Sequence, residues 1–183
     1  MPRSHPAPLH PPAAESAVIM GVAGCGKSTL AAAVAQRLGR DWLEGDLLHS
    51  EASRHKMARG EPLTDQDRSA WLASLCQRLQ QHPGLLLTCS ALKRSYRDRL
   101  REASPGLRFA FLDIDRSEAH RRVSTRTSHF FAASLVDSQF ETLEPPTGEP
   151  GVLRLDAQWP PGELEARVCG WLERTWTSPG ACP

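Results

Sequence analysis

No stretch of this 183-residue chain approaches the ~20 consecutive apolar residues that a membrane-spanning helix needs, and the N-terminus lacks the apolar core of a signal peptide. These absences predict a soluble, cytoplasmic protein. Net charge is missing too: 22 basic residues stand against 21 acidic ones, so no long-range field draws in nucleic acid or an anionic membrane. The expected partner is a small molecule. The five cysteines (Cys25, Cys76, Cys89, Cys169 and Cys182) are odd in number and form no C-x-x-C pair, which argues against a disulfide framework or a zinc site. Lysine is scarce: Lys27, Lys56 and Lys93 are the only three among the 22 basic residues. Either chance left them, or these positions need a compact point charge that the wide guanidinium fork does not replace.

A chain of this length is expected to close around one hydrophobic core. Residues 1–15 carry five prolines and almost no large apolar group, and are expected to be a disordered tail. The folded domain is placed at 16–177, with a short tail at 178–183. Within it, short apolar runs alternate with longer amphipathic ones, the pattern of β-α-β units around a parallel sheet. Strands are expected at 17–20, 42–43, 85–88, 109–112 and 152–155. The intervening helices are marked by their punctuation. Gly39 closes the first, Ser50 opens one that ends near Gly60, and Thr64 with Asp67 reads as a capping box before Trp71, Leu72, Leu75 and Leu79. Further helices are expected at 93–103, 117–127 and 133–143, and after Pro160-Pro161.

Gly21, Val22, Ala23, Gly24, Cys25, Gly26, Lys27 and Ser28, with Thr29 following, satisfy G-x-x-x-x-G-K-[ST], with a strand before and a helix after. Such a loop wraps phosphates with its N–H groups, Lys27 reaches the β- and γ-phosphates of ATP, and Ser28 ligates Mg²⁺. ATPases, GTPases and kinases share this loop, so the acceptor must be read elsewhere. The next βα loop offers Asp46 and His49 at the carboxyl end of the second strand, where ligands of open α/β sheets collect. A carboxylate there can orient or deprotonate a hydroxyl, help hold the metal, or simply form a turn.

With these residues in place, the chain resembles the gluconokinases. Gly45-Asp46-x-x-His49, Lys56-Met57, Gly60 and Pro62-Leu63 are similar to that family's pattern, as is Thr64-Asp65-x-Asp67-Arg68-x-x-Trp71-Leu72. Downstream, Cys89-Ser90-Ala91-Leu92-Lys93 with Tyr96-Arg97-Asp98, then His129-Phe130 and the run Ser138 to Glu144, continue the likeness. The resemblance implies a three-layer P-loop kinase fold, a five-stranded parallel sheet flanked by helices with a helical lid at about 117–132. It implies transfer of the ATP γ-phosphate to the 6-hydroxyl of D-gluconate, giving 6-phospho-D-gluconate and ADP for the pentose phosphate pathway. Homodimers are frequent in the family, and one is an option here.

Within the matched blocks, Lys27, Asp46, Arg122 and Arg126 are candidates for catalysis, the two arginines, four apart, resembling lid arginines. Asp46, His49, Lys56, Arg68, Lys93 and Arg97 are candidates for the acceptor, and Ser28 and Asp46 for the metal. The alternatives are another small-molecule kinase, acting on shikimate or a nucleoside monophosphate, or a nucleotide-binding pseudokinase. The chain also departs from the family pattern. Cys25 stands where serine is common, Ser50 and Ser53 where proline and asparagine are, Ser128 where glycine is, and Phe131-Ala132 where Met-Pro is frequent.

Overall fold

The computed structural model describes residues 15–125 and 134–174. The predicted tail residues 1–14 and 178–183, and the second half of the predicted lid with Arg126, lie outside those residues.

Five strands, β1 (Ala17–Met20), β2 (Trp42–Glu44), β3 (Leu86–Cys89), β4 (Arg108–Asp113) and β5 (Val152–Asp156), form one sheet in the order β2-β3-β1-β4-β5. All neighbours are parallel. Seven α-helices are described: α1 (Lys27–Leu38), α2 (Glu51–Ala58), α3 (Asp65–Gln81), α4 (Arg94–Ala103), α5 (Arg116–Ser124), α6 (Ser134–Thr142) and α7 (Pro161–Leu172). They cover both faces of the sheet, as right-handed crossovers between parallel strands require.

Strand β1 sits at the centre, hydrogen-bonded to β3 on one side and β4 on the other, and every one of its side chains is buried. Alternation along the strand splits it between two cores. Ala17 and Ile19 join the cluster beneath α1 and α7 with Leu30, Val34 and Leu164, whereas Val18 and Met20 join the one beneath α3 and α4 with Trp71, Leu75 and Leu100. With apolar groups needed on both faces, β1 reads in sequence as an unbroken apolar run.

The ends of elements differ from the expectation where a polar residue is held by a distant partner. Strand β4 starts at Arg108 rather than Phe109, because that guanidinium, only 3% exposed, donates to the carbonyls of Trp171 (2.8 Å) and Leu172 (2.7 Å) at the end of α7. Strand β3 is shifted one residue later, and a 3₁₀ turn at Gly45–Leu48 occupies what reads as a loop. The two predicted caps of α2 and α3 form: Ser50 Oγ accepts from Ser53 N–H, and Thr64 and Asp67 bond reciprocally.

The exit from β2 is braced tightly. Gly45 N–H donates to Thr88 Oγ1 (3.2 Å), Trp71 Nε1 donates to Gly45 O (2.8 Å), and the Thr88 hydroxyl donates to Glu44. A Cβ on Gly45 would lie 2.2 Å from the Thr88 carbonyl oxygen, so only glycine lets β2 approach β3 this closely. Gly45→Ala is therefore expected to destabilise the fold by more than about 2 kcal/mol, seen as a lower midpoint in denaturant unfolding. A wild-type midpoint would show that the two strands separate at little cost.

Candidate active site

At the carboxyl ends of β1, β2 and β3 lies a cavity of about 190 Å³. One wall comes from the loop between β1 and α1. Gly26, at φ 100°, turns the chain into α1, whose first turn has neither a side-chain cap nor an acidic residue. The leading N–H groups of a helix have no partners within it. Here no side chain takes that place, so this end of α1 suits an anion. Gly24, Gly26, Lys27 and Ser28 line the cavity. Lys27 Nζ folds back onto its own loop, donating to the carbonyls of Gly21 and Val22, both at 3.1 Å. Ala23 N–H donates to Gln139 Oε1 of α6 at 2.6 Å.

The opposite wall is built from β2, the turn after it, and α3. Asp46 reaches the cavity from the 3₁₀ turn and Arg68 and Trp71 from α3. Burial pushes the Asp46 carboxyl above its ordinary range, the Lys27 ammonium pulls it down and Glu44 pushes it up again, with burial prevailing. His49 is buried and stacks on Trp71, ring centroids 4.4 Å apart and planes 11° from parallel. Its Nδ1 has no hydrogen-bond partner among the described residues. Burial, with Arg68 and Arg54 nearby, drops its pKa from 6.5 to about 4, so the ring is neutral at pH 7.

Of the residues expected to bind nucleotide, Ala23, Gly24, Gly26, Lys27 and Ser28 line this cavity. Gly21, Val22 and Cys25 are buried behind it, and Thr29 is exposed on α1. Among the residues expected to meet the acceptor, Asp46, His49 and Arg68 line it. The remaining cations are engaged elsewhere. Lys56 Nζ holds both carboxylate oxygens of Asp67 (2.8 and 2.9 Å), and Lys93 Nζ those of Asp65 at the same distances. Arg97 is 0% exposed with its donors committed to Glu149 and to backbone carbonyls, so the expectation that it binds the acceptor gives way to a role inside the frame. Arg122 donates to Glu118 (2.6 Å) and to Ala157 O (3.1 Å), away from the cavity wall.

Several lining residues are not among those the sequence assigned to the site. Glu44, the last residue of β2, lies two residues before Asp46 and lines the cavity with it. Ser90 follows β3, and Met57, Leu63 and Leu135 form a small apolar cluster at the rim. Gln139, in the matched run Ser138 to Glu144, lies 116 residues from the loop it touches, so that contact has no local signal.

With this geometry established, an AAA domain model matches residues 17–146. A gluconokinase of Gluconobacter oxydans (strain 621H) is 44% identical over 146 residues, 77% of this chain and 82% of its own. The thermoresistant gluconokinase of Escherichia coli (strain K12) is 43% identical over 163 residues, 85% and 90% of the two chains. Among solved structures, a gluconokinase from Sinorhizobium meliloti 1021 superposes with a TM-score of 0.81 at 43% identity, covering 87% of this chain and 92% of that one.

His49 gives the site a pH signature in stability. Between about 6.5 and about 4 the unfolded chain binds a proton at this ring that the folded protein refuses, so the stabilisation present above pH 6.5 is lost as pH falls through that window. Thermal unfolding midpoints are expected to drop across it, and His49→Gln to flatten the slope. Identical slopes in both proteins would contradict a buried neutral His49.

Proposed function

Because the chain belongs to the gluconokinase family, we propose that it transfers the γ-phosphoryl group of ATP to the 6-hydroxyl of D-gluconate, yielding 6-phospho-D-gluconate and ADP. The observation that carries this reading is the two-sided cavity. The uncapped start of α1 with Lys27 lies on one wall, and Asp46, His49 and Arg68 lie on the other.

The triphosphate of ATP suits the first wall. Lys27, released from the Gly21 and Val22 carbonyls, is the flexible cation that would follow charge onto the β- and γ-oxygens. The second wall suits a polyol carboxylate. Arg68 supplies a cation for the carboxylate, and neutral His49, with Nδ1 unpaired among the described residues, supplies a hydrogen-bonding group for a hydroxyl. Asp46 stands where it can orient the attacking 6-hydroxyl and accept its proton.

The donors also fit Mg²⁺. Among the described residues no cluster of three or more acidic, histidine or cysteine side chains could cage a metal, whereas Ser28 and Asp46 both line the cavity. Two protein oxygens completed by phosphate oxygens is how this ion is commonly held beside a nucleotide, where it neutralises charge on the transferring group. Arg122 and Arg126 are the arginines we assign to the lid. Lys56 and Lys93 would have to abandon Asp67 and Asp65 to reach substrate, so we place them in the frame. Among the described residues no helix is long and apolar enough to cross a membrane, and we place the enzyme in the cytoplasm, with a homodimer as its candidate assembly.

A coupled assay across gluconate, shikimate and nucleoside monophosphates is expected to show turnover with gluconate; inert gluconate alongside turnover of another acceptor overturns the reading. Asp46→Asn should lower kcat by at least about 100-fold while ATP affinity stays within about threefold. Turnover equal to wild type in that variant removes Asp46 from the mechanism.

A further inference from the structure

Ala91 is the one residue other than glycine with a positive φ among the described residues, at 44°. Side chains rarely adopt that conformation, and it costs on the order of 1 kcal/mol or more unless the surroundings enforce it. Ala91 follows directly on Ser90, which lines the cavity. Among the described residues the Ser90 hydroxyl has no hydrogen-bond partner. A polar group in a binding cavity, followed immediately by a residue in a conformation it rarely adopts, is a group placed at a cost.

Arg97 enforces the placement. Its Nη1 donates to Ala91 O (2.8 Å) and Leu92 O (3.1 Å), its Nη2 to Glu144 O (3.0 Å), and its Nε to Glu149 Oε2 (3.0 Å). Glu149 also takes Arg101 Nη2 at 2.8 Å. Burial pushes the Glu149 carboxyl up, but the two guanidinium groups outweigh it and leave the pKa below the ordinary value. From the other side, Glu144 N–H donates to Leu92 O (2.8 Å) and the Glu144 carboxylate accepts from Arg94 N–H (2.6 Å). The guanidinium is thus a buried staple between the turn after β3 and the segment that follows α6. A buried ion pair is a poor way to gain stability alone, since its desolvation offsets its attraction. Here it fixes a backbone geometry that apolar packing would not hold.

We propose that Ser90 hydrogen-bonds a hydroxyl of the acceptor, and that Arg97 is the positioning residue that holds Ser90 in the cavity through the Ala91 peptide. The inference rests on the gluconate reading above. It makes the acceptor, and not the nucleotide, the ligand that senses both residues.

The test uses the purified full chain, with ATP and gluconate varied separately and thermal unfolding recorded alongside. Ser90→Ala should raise KM for gluconate by about 10-fold, the loss of one good hydrogen bond, with KM for ATP and the unfolding midpoint unchanged. Arg97→Lys should raise KM for gluconate comparably and lower the midpoint; Glu149→Gln, which keeps an acceptor oxygen, should do the same more mildly and carries the comparison should Arg97→Lys fail to fold. Combining Ser90→Ala with either change should raise KM for gluconate little beyond Ser90→Ala alone, because both act on one contact. The inference is overturned if Ser90→Ala leaves kcat/KM for gluconate unchanged, or if the staple variants raise both KM values equally and additively with it. Wild-type protein that does not phosphorylate gluconate would instead sink the reading on which the inference rests.

Discussion

Everything at the working end of this protein depends on leaving the first turn of α1 without a cap. Backbone N–H groups are obligatory donors, and a helix start normally satisfies them with a serine, threonine or aspartate side chain. Here Gly26, in a left-handed conformation, delivers the chain into the helix and offers no such group. The arrangement is stable because the strand leading into it, β1, is the middle strand of the sheet, flanked by β3 and β4 and buried on both faces. Strand and helix thus hold a loop whose helix-start N–H groups are not taken up by any side-chain cap. The acceptor wall then follows from topology, since β2 and β3 end on the same side of the sheet and deliver Asp46 and Ser90 to the same cavity.

Polar groups buried away from the cavity serve to fix its walls. Thr88 locks the exit of β2 through Gly45 and Glu44, and Trp71 both bonds Gly45 and supplies the face on which His49 stacks. Arg108 ties β4 to the end of α7, and Arg97 ties the turn after β3 to the segment after α6. Trp71, Arg108 and Arg97 each satisfy backbone carbonyls far away in sequence, and Thr88 satisfies the Gly45 N–H. The chain's arginine bias has this structural use: one planar fork can serve several carbonyls and a carboxylate at once.

The fold was legible wherever its cause is local. Periodicity placed all five strands, Gly39 and Ser50 marked helix ends, and Thr64 with Asp67 announced the capping box of α3. The phosphate loop was legible because its parts are contiguous. Roles that depend on distant partners were not. Lys56, Lys93 and Arg97 look alike in sequence to Arg68, a cation in a matched block, yet the fold sets Asp67, Asp65 and Glu149 against the first three and leaves Arg68 on the cavity wall. Gln139 and Ser90 stand in matched blocks, but that they line the cavity shows only once the fold brings α6 and the turn after β3 beside it. Strand ends such as Arg108 were missed for the same reason, since a charged residue reads as a boundary until its buried partners are known.

In the proposed reaction one cavity brings the γ-phosphate of ATP to the primary hydroxyl of gluconate, with Asp46 at the attacking oxygen. Its most direct test is the identity of the product made by the wild-type protein from ATP, Mg²⁺ and gluconate, read by phosphorus–proton correlation in NMR. The expected product is a single phosphomonoester whose phosphorus couples to the two protons on C6, formed in equal amount with ADP. Phosphate on a secondary hydroxyl, or ADP released with inorganic phosphate and unmodified gluconate, would contradict it.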